Sequence, residues 1–265
     1  KHLLEPTLSV SFDNAHGKYV FEWTESINAN QYFVFINGIQ IDTTTQTKYE
    51  LAYNLVDTNE FEVNVYAFND SADYFQSPSS NVVTFKKYYK LTAGTDRGGQ
   101  NLLINDYNRN SIYVEYSSKV KLGITTIDGY NFIGWFNGEE LVSENINYEH
   151  TLTDDIELTA KFNYFLVTTE NNIPEAGFFE RTYNSEKVSI GTVISLKQYT
   201  HNGYNFLGWY IDDELVSTSN TYEYTMTNED VIIIAKYNYF TVTTSSSHNN
   251  SGTITEYNNT KVSVG

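Results

Sequence analysis

The chain has 265 residues, 33 of them acidic and 16 basic, for a formal charge of −17. That balance, with no dense Lys/Arg patch, repels phosphate backbones and anionic bilayers, which argues against nucleic-acid binding and membrane-surface attraction. With no cysteine, disulfides, thiolate nucleophiles and cysteine-ligated metals are ruled out, and apolar runs of about five residues fall far short of the ~20 that span a bilayer.

In chain order, residues 1–86 read as an independent all-β unit with period-2 alternation. Leu8, Val10 and Phe12 share one face of a first strand, and Tyr19, Phe21 and Trp23 share one face of the next. Tyr32 to Ile36 runs into Asn37-Gly38, a type I′ hairpin signal, and then Ile39-Gln40-Ile41. Phe61, Val63, Val65 and Ala67 alternate with polar neighbours, and Pro78 precedes a last strand expected over Asn81–Phe85. Seven short strands without a helical period predict a β-sandwich.

Beyond residue 86 the sequence repeats itself. Gly129-Tyr130-Asn131-Phe132-Ile133-Gly134-Trp135-Phe136 returns 74 residues later as Gly203-Tyr204-Asn205-Phe206-Leu207-Gly208-Trp209-Tyr210. Glu140–Ser143 returns as Glu214–Ser217, and Thr159–Phe165 matches Ile234–Phe240. A shorter block, Lys119–Gly123, aligns with Lys187–Gly191 and again with Lys261–Gly265. The expected organisation is a sandwich over 1–86, repeats over 87–162 and 163–237, and the incomplete start of a third repeat over 238–265. The chain opens at Lys1 without a methionine or signal peptide, which suggests a piece of something longer.

Residues 1–86 resemble a fibronectin type III domain. The resemblance rests on the Trp23 strand, the Tyr32-x-Val34 strand, the Phe61–Ala67 strand and the Ser77–Phe85 ending. Phe61 departs from that family's corner tyrosine. The repeats resemble the Listeria–Bacteroides family, also described as internalin B-repeats, through Gly-Tyr-x-Phe-x-Gly-Trp and closing strands at Ala160-Lys161-Phe162 and Ala235-Lys236-Tyr237. That resemblance implies a mainly β chain with tandem small β-grasp-like units in an elongated array. It also implies a place in extracellular bacterial surface proteins.

Physically, Trp135 and Trp209 are large enough to anchor the core of a unit of about 75 residues, and Gly134 and Gly208 let backbone approach closely beside them. Asn137-Gly138 suggests a tight turn, replaced in the second unit by Asp212-Asp213. The junctions Val83–Tyr89 and Leu158–Val167 carry β-forming residues with no flexible tract. Strand is therefore expected to feed into strand, giving a stiff rod on the order of 100 Å that small-angle scattering would detect. Acid outnumbers base in each of the first three segments, so like-signed neighbours favour extension.

No catalytic set assembles. His2, His16, His150, His201 and His248 are scattered without metal-ligand spacing, and no nucleophile elbow, phosphate loop or dinucleotide fingerprint is present. Asp154-Asp155, Asp212-Asp213 and Asn228-Glu229-Asp230 could in principle hold Ca²⁺, although no loop supplies a full ligand set. No cofactor, metal or enzymatic activity is expected. The leading reading is a non-catalytic stalk or adhesion segment of a secreted or cell-surface bacterial protein, with a protein or glycan partner. The alternatives are a glycan-binding region of a secreted carbohydrate-active enzyme and a self-associating filament segment.

Overall fold

The computed structural model describes residues 1–97, 101–245 and 260–264. The described residues are mainly β: among them are 26 strands, two single-turn 3-10 helices, Tyr53–Leu55 and Pro174–Ala176, and no α-helix. The chain divides into two compact units, Lys1–Thr125 with Gly134–Lys161, and Thr126–Ile133 with Phe162–Gly265.

Seven strands build the N-terminal part of the first unit: β1 (Leu8–Asp13), β2 (Lys18–Trp23), β3 (Gln31–Ile36), β4 (Ile39–Thr44), β5 (Lys48–Ala52), β6 (Glu60–Phe68) and β7 (Val83–Lys86). They form a three-stranded sheet, β1-β2-β5, and a four-stranded sheet, β4-β3-β6-β7. This is the two-sheet, Greek-key-like arrangement of a fibronectin-type sandwich. Alternation puts one face of β1, β2, β3 and β6 inside, whereas β4 is exposed along its length up to Thr44. Leu8 pairs Trp23, Val10 pairs Phe21 and Phe12 pairs Tyr19 across β1 and β2. Phe61, Val63, Val65 and Ala67 of β6 are all buried in the shared core. Asn37 and Gly38 take φ of 48° and 76°, the left-handed pair that a type I′ turn requires.

The last strand begins later than expected, at Val83 rather than Asn81. Around Pro78 two serines pair with β6 through backbone and side chain together: the Ser77 and Ser80 N–H groups donate to the Ala67 and Val65 carbonyls at 3.0 and 2.8 Å. The Ser77 and Ser80 hydroxyl oxygens accept from the buried Ala67 and Val65 amides at 2.8 and 2.9 Å. The Asn81 side chain copies a strand edge by accepting from the Leu8 N–H and donating to the Leu8 carbonyl.

The first repeat follows as β8 (Tyr88–Thr95), β9 (Leu102–Ile104), β10 (Tyr107–Asn108), β11 (Ser111–Glu115), β12 (Lys119–Ile124), β13 (Asn131–Asn137), β14 (Glu140–Ser143), β15 (Tyr148–Thr151) and β16 (Ile156–Asn163). The second comprises β17 (Phe165–Asn171), β18 (Gly177–Phe179), β19 (Glu186–Val188), β20 (Val193–Thr200), β21 (Asn205–Ile211), β22 (Glu214–Ser217), β23 (Thr221–Thr225) and β24 (Val231–Asn238). A final pair, β25 (Phe240–Val242) and β26 (Thr260–Val262), is antiparallel.

The larger sheets match strand for strand, β11-β8-β16-β13-β14 against β19-β17-β24-β21-β22, and the smaller ones share three strands, β9-β12-β15 against β18-β20-β23, with β10 an addition in the first repeat. In each larger sheet the first and last strands of the repeat are parallel neighbours. A single residue separates β7 from β8 and β16 from β17, as the β-forming junction sequences predict.

This register corrects one alignment. Lys119 opens β12 and pairs with Thr151, whereas Lys187 lies in β19, the counterpart of β11. The Ser117 amide bonds the Leu152 carbonyl as Gly191 bonds Met226, both with a left-handed residue at the turn. Tyr113 therefore holds the place of Lys187 and Lys261. The Lys-Val similarity at 119 had hidden this, because apolar alternation looks alike in neighbouring strands.

One buried exchange distinguishes the two cores. Where the first repeat has the apolar residues Ile124 and Phe162, the second has Gln198 and Tyr237, all four buried. The Tyr237 hydroxyl and the Thr200 hydroxyl both donate to the Gln198 side-chain oxygen at 3.0 Å, and its amide donates to the Asn220 side chain at 2.6 Å. Burial pushes the Tyr237 phenol up to about 12. Gln198→Ile leaves that hydroxyl and the Asn220 carbonyl without their buried partner, an expected loss of about 1–3 kcal/mol. Adding Tyr237→Phe restores the first repeat's residue types at both places, removes the unpartnered hydroxyl and should recover most of it. Urea denaturation of both single variants and the double variant measures the coupling, and additive losses would contradict it.

Candidate functional site

The Gly-Tyr-Asn-Phe-x-Gly-Trp block splits into two halves with different work. Its second half is core. Trp135 and Trp209 are fully buried, and their indole N–H groups donate to the Ile146 and Ser219 carbonyls at 3.3 and 3.0 Å. Phe132 packs edge-on against Phe162, with ring centroids 5.5 Å apart, and Phe206 contacts both Trp209 and Tyr237. Gly134 and Gly208 do permit a close approach, but by the hairpin partner rather than by the indole. A Cβ on Gly208 would strike the Leu215 side chain and sit 2.5 Å from the Ser217 carbonyl oxygen, where β21 and β22 shift register. In the sandwich, Trp23 is buried against Tyr32, with no hydrogen-bond partner for its indole nitrogen.

Gly129, Tyr130 and Asn131, with Gly203, Tyr204 and Asn205, sit elsewhere: each trio forms a corner that receives a lysine. Within the second unit, Lys187 Nζ donates to the Tyr130 hydroxyl at 2.5 Å and lies 4.8 and 4.3 Å from the centroids of the Tyr130 and Tyr164 rings. The Asn131 side-chain oxygen accepts the Ile190 amide at 2.8 Å, and the Ser189 hydroxyl donates to the Tyr130 carbonyl. The arrangement recurs 74 residues on. Lys261 donates to the Tyr204 hydroxyl at 2.5 Å and lies 4.9 and 4.5 Å from the Tyr204 and Tyr239 rings, and Val264 N–H bonds Asn205 at 2.7 Å.

Glycine opens both corners: at φ of 85° and 90°, a Cβ on Gly129 or Gly203 would sit 2.7 or 2.6 Å from the Lys187 or Lys261 carbonyl oxygen. A lysine between two ring faces gains cation–π attraction, and the phenol oxygens hold its protons. Its bonds to Tyr204 and Glu175 raise the Lys261 pKa above the ordinary lysine value. The β25–β26 pair therefore contributes a lysine strand to a corner already built. Gly265 and residues 246–259 of the incomplete third copy lie outside the described residues.

A third joint, within the first unit, uses the same places with different chemistry. Tyr88 corresponds to Tyr164 and Tyr239, and the sandwich's Phe12 stacks on it at 3.8 Å with rings 6° from parallel. Tyr113 stands where the lysines stand, 5.7 Å from Phe12 and 4.9 Å from Tyr53. Gly17, at φ 64°, leaves room for the Tyr113 ring. The buried Tyr19 hydroxyl accepts the Tyr88 amide at 2.7 Å, and burial pushes that phenol up to about 12.

Three of the candidate calcium acids have other partners. Asp155 accepts the Lys90 amide and the Tyr53 hydroxyl, Asp230 accepts the Leu166 amide, and Asp213 pairs Lys236 at 2.7 Å across the turn. That turn is Asp212-Asp213, as expected, while in the first repeat it falls one residue later, on Gly138-Glu139, because Asn137 still pairs Glu140. Among the described residues no three His, Asp or Glu converge as a metal site. His16 contacts Asp13, His150 contacts Tyr148 and His201 contacts the Glu175 carbonyl; His2 stacks on Phe75, and His248 is outside the described residues.

Against known families, residues 95–161 match the Listeria-Bacteroides repeat domain and residues 180–241 the divergent InlB B-repeat domain. Two B-type repeats are present. An Evansella cellulosilytica protein named "Putative membrane protein" is 34% identical over 121 residues, covering 43% of this chain and 17% of that protein. The chain thus spans less than a fifth of that relative. Among the described residues no helix is long and apolar enough to cross a membrane. Similar solved structures include "FN3tt mut" (22% identity, TM-score 0.24, 31% of this chain and 90% of that one). Another is the central fibronectin-III array of RIM-binding protein (12%, 0.24, 83% and 84%). The B-type repeats match the family whose motif the Gly-Tyr-x-Phe-x-Gly-Trp block carries.

Proposed function

We propose that this chain is a non-catalytic structural segment of a bacterial surface or secreted protein, a stalk that carries neighbouring domains or an adhesive face. One observation supports this most: three joints occupy equivalent places, so the chain's most specialised contacts serve to attach one module to the next. The modules are a sandwich over 1–86 and B-type repeats over 87–162 and 163–237, with a third repeat beginning at 238. The central parallel pair of first and last strands makes each repeat grasp-like. Its partner is a protein or glycan at the cell surface.

Two experiments test this. Protease treatment of intact producing bacteria should release peptides of this chain, and release only after lysis would overturn the surface assignment. Pulling the full chain from its ends should give separate unfolding events spaced by whole modules, and a single featureless extension would overturn the mechanical reading.

A further inference from the structure

We propose that the residue at 113, 187 and 261 specifies which module precedes a repeat: lysine selects a Gly-Tyr-Asn corner, and tyrosine selects the sandwich. The two upstream surfaces differ in what they offer. A Gly-Tyr-Asn corner presents the lysine with a phenol oxygen and a ring face, both electron-rich, beside the second ring of Tyr164 or Tyr239, while its asparagine carbonyl holds the backbone of the lysine strand. A cation with donatable protons fits that set.

The sandwich presents Phe12, which has no oxygen, already stacked on Tyr88, and a gap over Gly17 that the Tyr113 ring fills. A flat ring fits there, packed against Phe12 and edge-on to Tyr53, whose hydroxyl is already donated to Asp155, and an ammonium would gain no acceptor from Phe12. The other two places vary less: a tyrosine opens every module, at 88, 164 and 239, and an aromatic ring comes from upstream every time, Phe12, Tyr130 or Tyr204. The residue at 113, 187 and 261 is thus where the joints diverge in charge.

Amide hydrogen exchange on the full chain reads each joint separately. The Ile190 amide reports the Asn131 bond, the Val264 amide the Asn205 bond, and the Tyr88 amide the Tyr19 bond. Lys187→Met and Lys187→Tyr should each speed Ile190 exchange by about tenfold or more, while Lys187→Arg keeps it near wild type and Val264 is unchanged in all three. Tyr113→Lys should speed Tyr88 exchange and leave Ile190 alone. Lys187 is exposed, so protection of the buried Gln198 amide serves as the check that each variant is folded. Ile190 protection as high with methionine or tyrosine as with lysine, or Tyr88 protection unmoved by Tyr113→Lys, overturns the proposal.

Discussion

Trp209→Ala should cost the second unit about 3–5 kcal/mol, a large share of what a domain of this size possesses. The indole is fully buried. It lies between the rings of Phe179 at 5.6 Å, Phe206 at 5.7 Å and Tyr222 at 6.5 Å, and its N–H is satisfied by Ser219. Alanine removes the ring contacts, opens a cavity that strand backbones cannot close, and leaves the Ser219 carbonyl short of a donor. Trp209→Phe keeps most of the packing and should lose only about 1–3 kcal/mol. Urea denaturation followed by near-ultraviolet circular dichroism ranks the two. A loss below about 1 kcal/mol for the alanine variant would show that the core does not depend on this ring.

The second large effect is Gly208→Ala, with an expected loss of about 2–5 kcal/mol from strained backbone and overpacking together. Gly208 sits at φ 142°, and the added methyl would press on the Ser217 carbonyl oxygen, a backbone atom of the hairpin partner. The Leu215 side chain can rotate away; the carbonyl can move only if β22 leaves β21. Gly94→Ala is the matched control, because nothing lies within 4 Å of the new methyl. It should be neutral or stabilise slightly through the unfolded chain. Thermal unfolding of the two variants under one set of conditions decides the matter, and equal melting temperatures would refute the steric account.

Much of this fold was legible because two-residue alternation has few interpretations. Phe61, Val63, Val65 and Ala67 could face only inward together, and the chain places them so. Trp135 and Trp209 were legible as core through size alone. Other features lacked a local signal. The serine hydroxyls that pair with β6 around Pro78 depend on a neighbour ten to fifteen residues away. The role of Gly129, Tyr130 and Asn131 was masked by their place beside the tryptophan, in one unbroken repeated string.

A signal for the joints did exist. Tyr88, Tyr164 and Tyr239 recur at near-repeat spacing, as do Lys187 and Lys261. The Lys-Val match at 119 drew the alignment into the wrong strand. Strand pairing settled it, since β11 and β12 differ in partner and not in pattern.

The lysine corners also bear on how such genes change length. Each complete repeat carries the corner that receives the next one's lysine strand, so excising or duplicating a whole unit leaves two cut surfaces that already match. Unequal crossing-over within the tract would yield longer or shorter descendants that need no compensating substitution. The sandwich-facing tyrosine marks a boundary at which such an exchange would go wrong.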